Sequence, residues 1–472
     1  MSDAPKKGLI NLLQEFSIPL IAGVFAALAA ANFAPHWYHH WFGEAHGDHS
    51  DVWHLPFSIL GHPVTIQFLV NDIFMVFFFG IAAKEITEAT LPGGSLSPFK
   101  KAINPLFATI GGVLGPVAIF FVAVMVAANM GVYDSADTER MALVHRGWGI
   151  PTATDIALAW LVARAVFGRG HPAINFLLLL AVADDAIGLG IIAVFYGDVA
   201  NPAQPQWLGL VALAMVVAFA LRKMNVKSWV PYIAIAGPIS WLGLILAHLH
   251  PALALVAVVP FLPGPRKDTG LFNPDDEVDR MGDELAHDLD VDHSPLHMFE
   301  HNLKAFVDFG LFFFAMANAG VEFSGIGAMT WIILASLIVG KTLGIALMGL
   351  LAKAVGFPLP ARMGLRELTM AGFIAALGLT VALFVAGAAF PMDAGLQGEA
   401  KMGALFSGFV GLAAILIGRM CGMGRSAEGG EGALAGQGGS QAAGNSMASV
   451  EAEAGVPGVF HDSSAGQSNQ TV

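Results

Sequence analysis

Two adjacent aspartates, Asp184 and Asp185, interrupt an apolar run from Ile174 to Tyr196. The run is long enough for a membrane-crossing helix, which needs about 20 residues. An ionised carboxylate at the bilayer centre costs about 2.5–3.5 kcal/mol on insertion scales, and acids retained there mark ion or proton pathways by default. Successive helical residues point about 100° apart, so each acid needs its own partner or cavity. A third acid, Asp155, lies in GIPTATDIALAW beside Pro151, Thr152 and Thr154. Proline removes a backbone donor, while Thr and Asp side chains can satisfy the backbone groups that a break frees. The later segment TMAGFIAALGLT, with Gly372, Gly378 and Thr380, is marked in a similar way. Paired interrupted spans are the best sequence pointer to a transporter's binding site. The plainer alternative is a proline kink and the ordinary glycines of membrane helices.

Lys341, in LIVGKTLGIALMG, reads as the only basic residue deep within a span. A cation at that depth needs an anion or surrenders its proton. Asp155, Asp184, Asp185, Asp72 and Asp308 are the acids deep enough to serve, and the residues alone leave the choice open. Asp72 reads as polar packing, and Glu85, beside Lys84, as a solvated charge at a span end. His36, His39, His40, His46, His49, His54 and His62 could bind a metal or sense pH. Their spacing is irregular and Trp37, Trp41 and Trp53 interleave with them, which favours an interfacial aromatic belt. Gly188 stands where a prenyl-transfer site would want a further Asp, and no phosphate loop, HExxH zinc motif or G-x-S-x-G elbow is present.

The elements that must position these groups are membrane spans. The chain has 472 residues, 56% hydrophobic and 12% charged, with mean hydropathy +0.66. Those values describe an all-α polytopic membrane protein, not a soluble domain. Much of the net charge of −13 lies in one loop and the tail, so it is no steering field for substrates or nucleic acid. The single cysteine, Cys421, excludes an intramolecular disulfide or a cysteine metal cluster. Lys6 and Lys7 precede an apolar run without a clear cleavage site, which predicts a retained first span. About twelve spans are expected, near 17–33, 66–84, 105–127, 150–167, 173–196, 206–221, 229–247, 250–262, 304–320, 329–352, 367–389 and 402–420. Lys and Arg cluster in every second loop, for example Lys84, Arg222, Lys223 and Lys353. The alternate loops carry only Arg140, Arg146 and Lys401. That bias predicts cytoplasmic termini. The expected divisions are an N-terminal stretch 1–16, a membrane domain 17–422 and a disordered tail 423–472. Within the domain, 34–65 is a periplasmic segment whose end, Phe57 to Gln67, could form a hairpin, and 264–303 is an acidic cytoplasmic loop.

The stretches VNDIFMVFFFG, PTATDIALA, AVADDAIG, FAMANAGV and VGKTLGI, in this order over about residues 8–422, resemble the NhaA-type sodium/proton antiporters. The resemblance implies twelve spans, with spans 3–5 and 10–12 as inverted repeats and spans 4 and 11 unwound where they cross at the midplane. It implies that Asp185 is the main ion ligand, that Asp184 flanks it and can pair with Lys341, and that Thr154 lies beside the site. Asp155 and Lys341 would compensate the half-helix ends. Glu85, Glu300 and His301 match positions linked to pH activation, and the Phe57–Gln67 stretch matches a hairpin used in dimer contact. Gly-rich AIGLGII, the extra acid Asp308 and the long acidic loop depart from the pattern.

The activity implied is no enzyme chemistry but electrogenic exchange of cytoplasmic Na⁺ or Li⁺ for external H⁺ in a bacterial inner membrane. No cofactor is implied, and the partners are cations, protons, lipid and a second copy. An acid held from water keeps its proton more readily, so protons and a small hard cation compete for the same oxygens. A sodium-coupled solute symporter and a non-transporting membrane sensor are the alternatives. Sodium-dependent proton movement without added solute separates them from the antiporter.

Overall fold

The computed structural model describes residues 17–43, 51–91, 94, 96, 99–168, 170–197, 201–264 and 294–423, side chains excepted at 99–101. The stretch 1–16, most of the acidic loop, the tail, His46 and His49 lie outside the described residues. Prolines and capping side chains set many of the boundaries. Helix α1 (Ile18–Phe33) yields to α2 (Pro35–Phe42) at Pro35. Strands β1 (His54–Ile59) and β2 (His62–Thr65) pair antiparallel, with Ile59 opposite His62. Leu60 and Gly61 make the turn with φ of 52° and 88°; positive φ at both central residues marks one of the two common two-residue hairpin turns. The predicted hairpin is therefore present, shifted so that Gln67 already lies in α3 (Ile66–Thr90).

Further helices follow: α4 (Phe99–Asn129), α5 (Thr138–His145), α6 (Ile156–Phe167) and α7 (Pro172–Phe195). Next come α8 (Leu208–Lys223), α9 (Tyr232–Leu246) and α10 (Pro295–Asn318). The last are α11 (Ala328–Ala354), α12 (Leu365–Ala375), α13 (Leu379–Ala389) and α14 (Ala394–Met420). Among the described residues, six helices are long and apolar enough to cross a membrane, and two bent pairs bring the number to eight. The protein is thus a helical multi-pass membrane protein. The first bent pair is α5 with its 3₁₀ extension Arg146–Thr152, followed by α6 at 49°; the second is α12 and α13 at 48°. Both interruptions fall where the sequence marks them.

Two predicted elements change. The span expected at 250–262 is a series of turns, with 3₁₀ pieces at Pro251–Leu253 and Val259–Phe261. Pro251, Pro260 and Pro263 remove donors too closely for a continuous helix. The span expected at 304–320 starts earlier, because Ser294 accepts from the His297 N–H and Pro295 occupies the first turn. Glu300 and His301 therefore sit on a helix and not in the acidic loop.

Helices α4 and α11 cross backbone to backbone. A Cβ at Gly111 would lie 2.0 Å from the Gly344 carbonyl oxygen, and one at Gly115 would lie 2.2 Å from that of Gly340. Small residues at such spacing let membrane helices approach closely. Here the approach carries Lys341, next to Gly340, into the interior, where it is fully buried.

Candidate functional site

The site is built where the two breaks meet. After the 3₁₀ turn ends at Thr152 the chain runs extended through Ala153, Thr154 and Asp155 before α6 begins. The Asp155 N–H donates to the Leu377 carbonyl in the other break, at 2.6 Å. Asp155 is also the N-cap of α6: its Oδ1 accepts from the Leu158 N–H at 3.1 Å. Its Oδ2 accepts from the Thr380 hydroxyl at 3.0 Å and lies 3.4 Å from the Thr380 N–H, at the start of α13. One carboxylate thus serves the positive ends of two half-helices.

Helix α7 supplies the paired acids. It starts at Pro172 behind the His171 cap and ends at Phe195, with Tyr196 as its C-cap. The Tyr196 hydroxyl accepts from the Gly149 N–H at 2.9 Å and donates to the Arg146 carbonyl at 2.7 Å, tying α7 to the 3₁₀ turn of the first pair. The Thr109 hydroxyl lies 3.3 Å from the Leu180 carbonyl and so connects α4 with α7 one turn before Asp184.

Lys341 pairs with Asp184. Its Nζ donates to Asp184 Oδ2 at 2.5 Å and to Thr154 Oγ1 at 2.6 Å. The Thr154 hydroxyl lies 2.7 Å from the same Asp184 oxygen and 3.0 Å from the Ala375 carbonyl. All three side chains are at most 1% exposed. Asp184 Oδ1 is buried and accepts no hydrogen bond from a described residue. Asp185, half-buried, makes no hydrogen bond to a described residue. Both acids line a cavity of about 10 Å³ with Phe78, Phe79, Ala153 and Val381, the room of about one water molecule. Asp184, Glu85 and Asp155 act on Asp185 with like charge and Lys341 with opposite charge. The result is a small pocket that offers hard carboxylate oxygens, a donor set suited to a small hard cation or a proton.

The sequence matches the family model described as Na⁺/H⁺ antiporter 1 over residues 10–420. The chain belongs to this family. It is 55% identical over 419 residues to a protein of Desulfitobacterium hafniense named "Na(+)/H(+) antiporter NhaA", covering 89% of this chain and 97% of the relative. A Geobacter sulfurreducens protein of the same name is 53% identical over 411 residues, covering 87% and 97%. One from Jannaschia sp. is 40% identical over 436 residues, covering 87% and 97%.

Not every candidate of this Na⁺/H⁺ antiporter family member converges on the pocket. Lys341 is not the only deeply buried cation: Lys84 is 1% exposed on α3 and pairs with Glu88 at 2.5 Å and with Glu300 from α10. The expected picture of Glu85 as a solvated charge beside Lys84 is corrected accordingly, because Lys84 is buried and Glu85 is half-buried. Helix α3 runs on to Thr90 and α10 begins at Pro295, so these ends bury their charges against each other. Glu85 is half-buried on α3, and Lys304 lies 3.8 Å from Glu300. His301 is exposed, with its ring 6.4 Å from that of His297. Asp72 lies on a π-helical turn, Leu69–Phe74, with its Oδ1 4.0 Å from His250 Nδ1. No hydrogen bond among the described residues joins it to the Asp184 cluster. Asp308 is half-buried on α10. Among the described residues no three His, Cys, Asp or Glu side chains form a metal cluster, and His36, His39, His40, His54 and His62 stay exposed. Trp41 stacks on Trp53 at 5.7 Å, in keeping with an aromatic surface. Sequence reasoning missed Glu88, although its i+4 spacing from Lys84 was a usable signal. It also missed Ser407, which accepts from the Gly378 N–H at 3.2 Å and which no motif marks.

Proposed function

We propose that this protein is a secondary transporter that exchanges cytoplasmic Na⁺, or Li⁺, for external protons. One observation carries the reading. Lys341 and Thr154 occupy one oxygen of Asp184, its other oxygen is buried without a partner among the described residues, and Asp184 and Asp185 both border a water-sized cavity. The size suits a stripped cation or a proton carrier, not an organic solute.

Sodium binds the oxygens of Asp185 and Asp184, and its arrival displaces protons from the same atoms. The loaded pocket then turns to the other side of the membrane, where protonation releases sodium. Asp155 offsets the positive half-helix ends and Lys341 the negative ones. Two protons for one sodium makes the cycle electrogenic, so the membrane potential and proton gradient drive sodium outward. Twelve spans with inverted repeats carry this cycle, the two bent pairs crossing near the midplane. Glu85, Glu300 and His301 adjust it to pH. Exchange rises from about pH 6 to pH 8, because a protonated site cannot load sodium and acids in such sites are tuned to titrate near neutrality. The protein sits in a bacterial inner membrane with both termini in the cytoplasm, as a homodimer joined through the β1–β2 hairpin.

The test uses everted vesicles acidified by respiration, in which a pH-sensitive dye reports proton release on addition of NaCl at about pH 8. Wild type alkalinises the lumen, and Asp185→Asn does not. Wild-type vesicles that ignore Na⁺, Li⁺ and K⁺ would overturn the proposal in favour of a symporter or a sensor.

A further inference from the structure

We infer that Ser407, on α14, is a positioning residue of the cation site that orients the break between α12 and α13. The inference rests on the exchange reading above. The first N-terminal amides of a helix lack partners within it, and the two breaks meet this need differently. In the first break Asp155 caps its own helix through the Leu158 N–H. In the second the capping position is Gly378, which has no side chain. A Cβ there would stand 3.0 Å from the Ala153 carbonyl oxygen and from a Leu337 methyl, so crowding from the first break favours glycine. The acceptors come from elsewhere. Asp155 takes the Thr380 groups, and Ser407 Oγ accepts from the Gly378 N–H at 3.2 Å. The Ser407 hydroxyl donates to the Ala404 carbonyl at 2.6 Å, which turns an oxygen lone pair toward Gly378. Ser407 is 0% exposed, so solvent cannot replace it.

The geometry gives this bond reach. Leu377 C=O and Gly378 N–H belong to one peptide unit, which is planar, its two bonds pointing in opposite directions. Ser407 holds the N–H end. The C=O end accepts from the Asp155 N–H at 2.6 Å. Fixing one end therefore fixes the plane that locates Asp155. The next residue back, Thr154, touches both Asp184 and Lys341. A hydroxyl on α14 thus sets the pocket without lining it.

The test compares wild type, Ser407→Ala and Ser407→Cys in everted vesicles, reading exchange against sodium concentration, with protein amounts matched by immunoblot. Cysteine roughly keeps the volume and is a weak acceptor. Both variants are expected to raise the half-saturating sodium concentration about threefold to tenfold, the scale of one lost hydrogen bond, with maximal rates within about twofold of wild type. A purely structural role instead lowers the maximal rate at unchanged half-saturation, and that result overturns the inference. Half-saturation like wild type in both variants overturns it too, as does loss of both proteins from the membrane, which would make Ser407 a folding residue. Absence of exchange in wild type overturns the exchange reading and the inference with it. Exchange in wild type with unmoved variants overturns the inference alone.

Discussion

The contact between α4 and α11 predicts a large effect from the smallest possible side chain. In Gly344→Ala the new Cβ would lie 2.0 Å from the Gly111 carbonyl oxygen and 2.8 Å from its carbon. Ordinary van der Waals contact begins near 3.4 Å, so the helices must part locally by about 1.4 Å, the difference between those two distances. Both colliding atoms are backbone and cannot rotate away. Lys341 stands one turn earlier on α11. A shift of that size takes its Nζ from 2.5 Å to beyond hydrogen-bond reach of Asp184 unless the side chain compensates. Overpacking alone costs about 1–3 kcal/mol, and a buried pair pulled apart adds to that. The better helix propensity of alanine returns at most about 1 kcal/mol, so the clash decides the sign. Gly112→Ala is the control, because its Cβ meets only Ile345 side-chain carbons at 3.2 and 3.3 Å, which can yield. The assay is the temperature at which purified protein in detergent loses its monodisperse gel-filtration peak, together with sodium-driven proton movement in vesicles. Gly344→Ala is expected to lower the temperature by several degrees and exchange about tenfold, with Gly112→Ala close to wild type. Equal behaviour of the two variants in both measurements would refute the backbone-contact argument.

Two further predictions follow from buried groups. Lys341→Met leaves the Asp184 carboxylate buried and unpaired, a loss of about 3–5 kcal/mol; adding Asp184→Asn removes that charge, so the double variant melts above the Lys341→Met single variant. A double variant that melts at the sum of the separate losses would contradict the pairing. Tyr133 is buried with no partner for its hydroxyl among the described residues, so Tyr133→Phe is expected to leave stability unchanged or slightly raised at neutral pH. Burial, then the Glu399 carboxylate, push the Tyr133 phenol up to about 12 against the opposing effect of Arg140. The folded value exceeds the ordinary 10.0, so this stability is full below pH 10 and is lost as pH rises through about 12. Melting curves over that range should fall more steeply for wild type than for Tyr133→Phe, and parallel falls would contradict the assignment.

The parts of the site legible in the sequence were those with a local cost. Asp184 and Asp185 in an apolar run, and Pro151 with Thr154 and Asp155 in another, violate the rules of a membrane helix, and the violation is visible without a fold. The hairpin was legible because Gly61 punctuates alternating residues. Glu85 was read as solvated and Glu88 was missed because they lie near the end of α3. There, hydropathy cannot distinguish a charge facing water from one folded against Glu300, more than 200 residues away. Ser407 was invisible because one serine in a membrane helix breaks no rule; its role depends on which peptide it faces.

The partner of Lys341 was undecidable from sequence for a reason that concerns the helix itself. Residues Ser336–Lys341 form a π-helical turn, as do Leu69–Phe74 around Asp72. Such a turn admits one extra residue and rotates everything after it by about 100° relative to a regular helix. Projecting LIVGKTLG on a 3.6-residue wheel therefore aims the lysine at the wrong neighbour. The irregular turn lies in the same stretch as Gly340 and Gly344, which bring α11 onto α4. Depth comes from the glycines and direction from the widened turn, and together they place Nζ on Asp184 and leave Asp185 beside the cavity. Removing the one extra residue, for instance by deleting Ile338, should restore a regular helix and swing Lys341 away from Asp184 while keeping the apolar character of the span.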